Sequence, residues 1–318
     1  MSAGCVIGVD LGGTKLLAGV VEPDLEVRHR VFRHAREGRG PDELIDQLVA
    51  AVEEVRVAAG RDLLAVGFGI PSLVDVESGV ASTTVHLPLR DVPFRDVMAE
   101  RLGVPVAVDN DANAAMVAEH RFGAARGARC AALLTLGTGI GGGIVVDDRV
   151  VHGAFGGAGE WGHMVIEVDG PLCTCGNRGC MEQMVSGTAL GRAARRVADE
   201  LPDSAFGRAR RSGRELTGML ATELAHDGDP VARDVVASMG HHLGVGLSNV
   251  VNILNPSVIV VGGGVIAAGE MLLEPARRVV AERALAPSRD QVEIAPTRFG
   301  DASGMIGAAL LAMDLVSA

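Results

Sequence analysis

Apolar residues along the chain follow two periods. Residues 5–10 form a short apolar run, Leu11-Gly12-Gly13-Thr14-Lys15 is a glycine turn, and residues 16–21 are apolar again. Strand, glycine turn and strand predict a β-hairpin, not a strand-to-helix phosphate loop. Between Pro41 and Ala59 the apolar residues Leu44, Ile45, Leu48, Val49, Val52 and Val55 fall at helical spacing, with proline at the start, which predicts an amphipathic helix. Residues 63–70 read as a strand closed by Pro71, and residues 104–108 as another. Asp109-Asn110-Asp111 then leads into a helix over 112–122.

From Ala131 the pattern repeats loosely. A strand over 131–136, a glycine turn over 137–143 and a strand over 144–146 echo the opening hairpin, which implies two related α/β halves. Residues 151–182 are loop-rich. Helical segments fill most of 185–251, interrupted by a polar stretch over 201–214. A strand over 258–261 enters Gly262-Gly263-Gly264, and a helix over 305–316 ends the chain. The uncharged stretch 243–269 holds Asn249, Asn252, Asn255 and Pro256, so it reads as helix, turn, strand and loop and not as a membrane span.

Composition narrows the function classes. A length of 318 residues suits two domains with two cores. A formal charge of −11 argues against a nucleic-acid or membrane-surface binder, because no broad cationic face is supplied. The 43 glycines are roughly twice the usual share of about 7%, so tight turns and close backbone-to-ligand approaches are expected. Lys15, inside a glycine turn, is the only lysine. The apolar run begins at Cys5 with no charged leader before it, so a cytoplasmic protein is expected. Three of the five cysteines crowd into residues 173–180, which suits a metal site better than a disulfide framework.

Candidate chemistry gathers at these turns. Glycines let backbone N–H groups approach anionic oxygens, so Gly12, Gly13 and the Gly137–Gly143 turn are phosphate candidates. Asp10 is placed to hold a hydrated Mg²⁺, Thr14 to donate to a phosphate, and Gly262-Gly263-Gly264 to contact a nucleotide. In Asp109-Asn110-Asp111, helix capping accounts for one residue, and a carboxylate fixed there suits a general base. Asp109 and Asp111 are equivalent candidates at this level. His163, Cys173, Cys175 and Cys180 make a closed Cys₃His set, the pattern of a structural zinc site. Glu160 and Glu182 flank that loop, and clamping it would fix both as acceptors for the hydroxyls of a polyol. Cys5 and Cys130 read as inert thiols buried in strands.

The segments Asp10-Leu-Gly-Gly-Thr-Lys15, Asn110-Asp-Ala-Asn113, Leu136-Gly-Thr-Gly-Ile-Gly-Gly-Gly143, Glu160-Trp-Gly-His163, Cys173-Thr-Cys-Gly-Asn-Arg-Gly-Cys-Met-Glu182 and Val261-Gly-Gly-Gly264 resemble the ROK family (repressors, open reading frames, sugar kinases). The resemblance runs from residue 5 to about 310. It implies an α/β, actin-like (ribonuclease H-like) two-domain sugar kinase fold with an internally duplicated hairpin unit and an active site in the cleft. The domains would be residues 1–114, with the terminal helix 305–318 packing back on them, and residues 115–304. Asp111 would be the catalytic base and Asn110 a sugar contact. Glu160, His163 and Glu182 would bind sugar hydroxyls, with His163 also ligating zinc. Asp10, Gly12, Gly13, Thr14, Lys15, Thr138 and Gly139 would face the phosphates and Mg²⁺, and Gly262, Gly263 and Gly264 the nucleoside.

The expected reaction is ATP-dependent phosphorylation of a hexose at O6, with glucose the commonest substrate of such proteins. N-acetylmannosamine, N-acetylglucosamine, fructose and allose kinases are the alternatives, and a non-catalytic sugar sensor is the rival from another class. Pro71-Ser72 stands where many members have Pro-Gly or Ala-Gly, and His86 where an asparagine often touches the sugar. The family's repressors carry a winged helix ahead of the first strand, and a strand starting at residue 5 leaves no room for one. ATP and polyphosphate both fit as donors, and a homodimer and a homotetramer both fit as assemblies, without nucleic acid or membrane.

Overall fold

The computed structural model describes residues 4–13, 15–34, 40–83 and 87–317; Thr14 and His86 lie outside the described residues. The first unit takes in the chain up to Gly127, then Gly143–Ala158 and the segment from Arg298 onward. It contains β1 (Cys5–Leu11), β2 (Lys15–Val21), β3 (Val27–His34), α1 (Pro41–Ala59), β4 (Leu63–Ile70), β5 (Leu73–Asp75), β6 (Val80–Thr83), α2 (Phe94–Leu102), β7 (Val106–Asn110) and α3 (Asp111–Phe122). The sheet order is β3-β2-β1-β4-β7. The β1–β2 and β2–β3 pairs are antiparallel, and β4 and β7 add parallel to β1.

Alternation along β1 sends Cys5, Ile7, Val9 and Leu11 to one face, where they pack with Leu44, Leu48 and Val52 of α1 and with Phe94 and Met98 of α2. Val6 points to the other face and joins Val117 of α3 and Ile306 and Leu310 of the terminal helix. On that face small residues set the spacing. A Cβ at Gly67 would overlap the Ala308 backbone carbonyl, and one at Gly307 would overlap that of Ala114. Glu119, fully buried in α3, accepts the backbone N–H groups of Arg298 (3.0 Å) and Phe299 (3.1 Å) and the Ser303 hydroxyl (2.7 Å), so a polar side chain inside the layer holds the start of the terminal helix.

The second unit comprises Ala128–Gly142 and Gly159–Thr297. The chain continues through β8 (Cys130–Leu136), β9 (Ile140–Val146), which passes from the second unit to the first, and β10 (Arg149–Val150). The helices α4 (Gly187–Glu200), α5 (Ala205–Arg211), α6 (Gly218–His226) and α7 (Pro230–Leu254) follow. Then come β11 (Val258–Gly262), α8 (Glu270–Arg283), α9 (Ser288–Gln291), β12 (Glu293–Pro296) and the terminal α10 (Ser303–Val316), which belongs to the first unit. This sheet runs β10-β9-β8-β11-β12, the same strand sequence as the first sheet, and so carries out the expected duplication.

Several expectations need correction. The turn after β8 is only Gly137–Gly139, since β9 begins at Ile140. Gly142 and Gly143 lie within the strand, where Trp161 and Met116 fill the space that Cβ atoms would need. The polar stretch over 201–214 contains α5, capped by Ser204 and anchored by buried Phe206. The division expected after residue 114 falls inside α3, which is continuous to Phe122. Cys130 is half-buried, its thiol donating to the Leu254 carbonyl at 3.5 Å. By contrast, the stretch 243–269 agrees with its expected reading: it is the end of α7, a turn, β11 and a short helical turn over Gly264–Ala268, and no helix among the described residues is long and apolar enough to cross a membrane.

Candidate active site and metal centre

The start of α3 divides labour among three adjacent polar residues. Asn110 is the N-cap: its Oδ1 accepts the N–H groups of Ala112 (2.9 Å) and Asn113 (3.2 Å). Its Nδ2 donates to the Ser72 carbonyl at 3.2 Å, which ties the cap to the chain just before β5. Asp109 is 3% exposed and turned inward, where it accepts from the Asn110 N–H at 2.7 Å and from Asn113 Nδ2 at 3.1 Å. Asp111 occupies the first helical position, half-buried, and its Oδ1 accepts the Ala112 N–H at 2.9 Å. Of two carboxylates equivalent in sequence, one is sunk in the fold and the other stands at its edge.

The hairpin of the first unit is closed by the Gly12 N–H donating to the Lys15 carbonyl at 2.8 Å, with Gly12 and Gly13 half-buried and Lys15 exposed. Asp10, at the base of this turn, is pushed up to about 8 by burial first, then by the charges of Asp111 and Asp301, while Lys15 opposes. The first turn of α10 presses on it, since a Cβ at Gly304 would come 2.7 Å from the Asp10 carboxyl carbon. Asp111 and Asp301 thus both act on Asp10 through their charges.

In the second unit, the Gly137–Gly139 turn is fastened on two sides. The Gly187 N–H donates to the Gly137 carbonyl at 2.7 Å and the Thr188 hydroxyl to the Thr138 carbonyl at 2.8 Å, so the turn lies against the N-terminus of α4. On the other side, Glu182 Oε2 accepts the Ile140 N–H at 2.9 Å and occupies the space a side chain at 139 would need. At the end of β11, a Cβ at Gly262 would meet Thr297, and one at Gly263 (φ +82) would meet the Leu136 backbone. Gly264 faces open space.

The Nδ1 or Nε2 of His163 and the Sγ atoms of Cys173, Cys175 and Cys180 lie within 4.8 Å of one another, a set that fits one tetrahedral ion. His163 Nδ1 is 3.8 Å from Cys173 Sγ, while its Nε2 is 3.9 Å from Glu160 Oε2. One ring nitrogen therefore faces the thiol set and the other turns toward Glu160. Burial pushes the Cys173 thiol up, but hydrogen bonds from Cys175, Cys180 and His163 outweigh it and hold it at about 6. Burial, with Cys175 and Cys173 beside it, pushes Cys180 up to about 12. Burial also raises Glu160, His163 pulling it back and Glu182 pushing it further.

Sequence reasoning missed the α4 N-terminus, Asp301 and His152. His152 Nε2 lies 2.8 Å from Asp109 Oδ2, a contact between residues 43 apart that leaves no trace in either local sequence. A groove of about 650 Å³ bordered by Asp24, Glu26, Phe122, Arg126, Arg298 and Phe299 contains none of the expected site residues.

Comparison with known proteins follows the same lines. The ROK family model matches residues 6–315. A glucokinase of Streptomyces coelicolor is 35% identical over 319 residues, covering 98% of both chains. The crystal structure of a ROK family glucokinase from Streptomyces griseus in complex with glucose and AMPPNP aligns with a TM-score of 0.89 at 36% identity, covering 98% of this chain and 100% of that one. A xylose repressor of Caldicellulosiruptor bescii is 28% identical over 318 residues, covering 99% of this chain and 79% of that protein.

Proposed function

Because this chain belongs to the ROK family and has the duplicated, actin-like α/β fold of its sugar kinases, we propose that it is a sugar kinase that transfers the γ-phosphoryl group of ATP to O6 of a hexose, with glucose as the substrate. The observation that carries this reading is the division of labour at the start of α3: Asn110 does the capping, so Asp111 is not needed for it. The similarity to a glucokinase crystallised with glucose and AMPPNP supports the choice of sugar and donor.

In this reading Asp111 accepts the proton of the sugar hydroxyl as its oxygen attacks the γ-phosphorus in line, and the bond to the β-phosphate oxygen breaks to release ADP. Asn110, Glu160, His163 and Glu182 hold the sugar hydroxyls. Phosphate oxygens lie against the turns at Gly12, Gly13, Thr14 and at Thr138, Gly139 and take backbone N–H groups there other than that of Gly12, which closes the hairpin, with Lys15 beside the first turn and the α4 N-terminus beside the second. Gly264 leaves room for the nucleoside next to Gly262 and Gly263. Bound Mg²⁺, held through Asp10, would neutralise charge on the transferred phosphoryl group. Zinc on His163, Cys173, Cys175 and Cys180 would fix the loop that presents Glu160 and Glu182, and takes no part in the chemistry.

A coupled ADP assay over glucose, N-acetylmannosamine, N-acetylglucosamine, fructose and allose, with ATP and polyphosphate in parallel, tests the substrate. Turnover highest with glucose and ATP is the expected outcome. Asp111→Asn loses about 10²–10⁴-fold in kcat while retaining sugar binding; near-full turnover in that variant removes Asp111 from the mechanism. The similarity to xylose repressors favours one other reading, a sugar sensor, which binds sugar and releases no ADP with any of the panel.

A further inference from the structure

The hydrogen bonds of the buried Asp109 carboxylate join the residues around Asp111 to a distant histidine. Oδ1 accepts from the Asn110 N–H just before it and from Asn113 Nδ2 two residues after it. Asn113 is 1% exposed and its Oδ1 has no partner among the described residues, so Asp109 alone orients that amide. Oδ2 faces His152 Nε2 at 2.8 Å. A carboxyl group this deeply buried needs polar partners on both oxygens, and the His152 imidazole is the side chain that meets Oδ2. The hydrogen bond to Asp109 in turn raises His152 above its ordinary range, against partial burial and with the aspartate charge adding to the rise.

His152 also opens a loop that is tied down. Its carbonyl accepts the Ala158 N–H at 3.1 Å. Gly156 (φ +74) sits against the Val74 backbone of β5, and a Cβ at Gly157 would lie 3.6 Å from Leu73. Ser72, next to that strand, receives Asn110 Nδ2. The loop, the segment 72–74 and the start of α3 therefore interlock around the Asn110-Asp111 pair, all within the first unit. Beyond Ala158 the chain continues through Gly159 to Glu160.

We propose that His152 is a positioning residue of the phosphoryl transfer: through Asp109 it fixes the first turn of α3, and so aims Asp111 at the sugar hydroxyl. The role rests on the kinase reading. A purely structural ion pair would affect melting temperature alone, whereas a positioning pair affects turnover in protein that is fully folded.

Three variants test it, each assayed well below its melting temperature. His152→Ala lowers kcat at least tenfold at pH 7 while KM for ATP stays within twofold of wild type. His152→Gln keeps a donor where Nε2 stood and restores kcat to within threefold of wild type. An NMR titration of the His152 ring, independent of activity, shows its pKa falling by at least one unit in Asp109→Asn. An active wild type whose folded His152→Ala variant keeps kcat and KM within twofold overturns the positioning role, as does a glutamine variant no better than alanine, or a ring titration that Asp109→Asn leaves unmoved. A wild-type protein that releases no ADP with any sugar overturns the kinase reading itself.

Discussion

Asp10 shows how one side chain can carry a cost that the whole fold registers. Its carboxyl rises from an ordinary 3.8 to about 8, through burial first and then Asp111 and Asp301. Between those values the folded protein keeps a proton that the unfolded chain has released, so this group makes stability fall as pH rises from about 4 to about 8. Asp10→Asn removes the penalty. Calorimetry at pH 8 should find the variant melting at least about 2 °C above wild type, with the two converging at pH 4; a gap independent of pH would refute the assignment. The neighbouring triad teaches a related lesson. Composition and spacing made Asp109 and Asp111 equal, because capping preference acts on residue type and not on which way a side chain turns. The partners of Asp109 separate them: Asn113 one helical turn on and, above all, His152 from 43 residues away.

At the level of elements, the regular amphipathic and hairpin segments were legible. The predicted bounds of α1 agree with the structure, since its apolar stripe and flanking Pro41 and Gly60 are local signals. The edge strand β3 was not legible, because Val31 is its only buried residue and the rest of Val-Arg-His-Arg-Val-Phe-Arg-His reads as polar surface. The glycine excess was read as turns and ligand approaches, and that is half the account. Gly8, Gly67 and Gly307 let α10 settle against the sheet and α3, while Gly240 and Gly244 do the same between α7 and α8. Gly67→Ala should therefore lose about 1–3 kcal/mol in urea unfolding. Gly264→Ala, facing open space, should leave stability unchanged and raise KM for ATP; the reverse pattern would exchange their roles. The metal loop was the most legible site, because all its ligands fall in one short segment. Elemental analysis should find about one zinc per chain, and Cys175→Ser should lower both that content and the melting temperature. A metal-free preparation that is fully folded and active would refute the site.

For the molecule as a whole, duplication was readable only as an echo of two glycine hairpins, and the identical strand orders of the two sheets give it full form. The hairpins echo each other because each must turn tightly after a buried strand, whereas the helices between them have no shared local pattern. Ligand linkage tests the assembled protein. A sugar or nucleotide at 100 times its Kd adds about 2.7 kcal/mol to the folded state. Glucose and ATP with Mg²⁺ should each raise the melting temperature by several degrees, while xylose should not. A shift with xylose and none with ATP would point to the sensor reading.

The solitary ammonium at position 15 offers a practical handle. It is exposed at the first residue of β2, beside the turn assigned to phosphate, in a chain whose other basic side chains are guanidinium or imidazole. An amine-selective fluorophore applied at alkaline pH would tag this position and the α-amino group alone, and peptide mapping would separate the two. Protection of the tag site by ATP would then report occupancy of the hairpin directly, without any enzymatic readout.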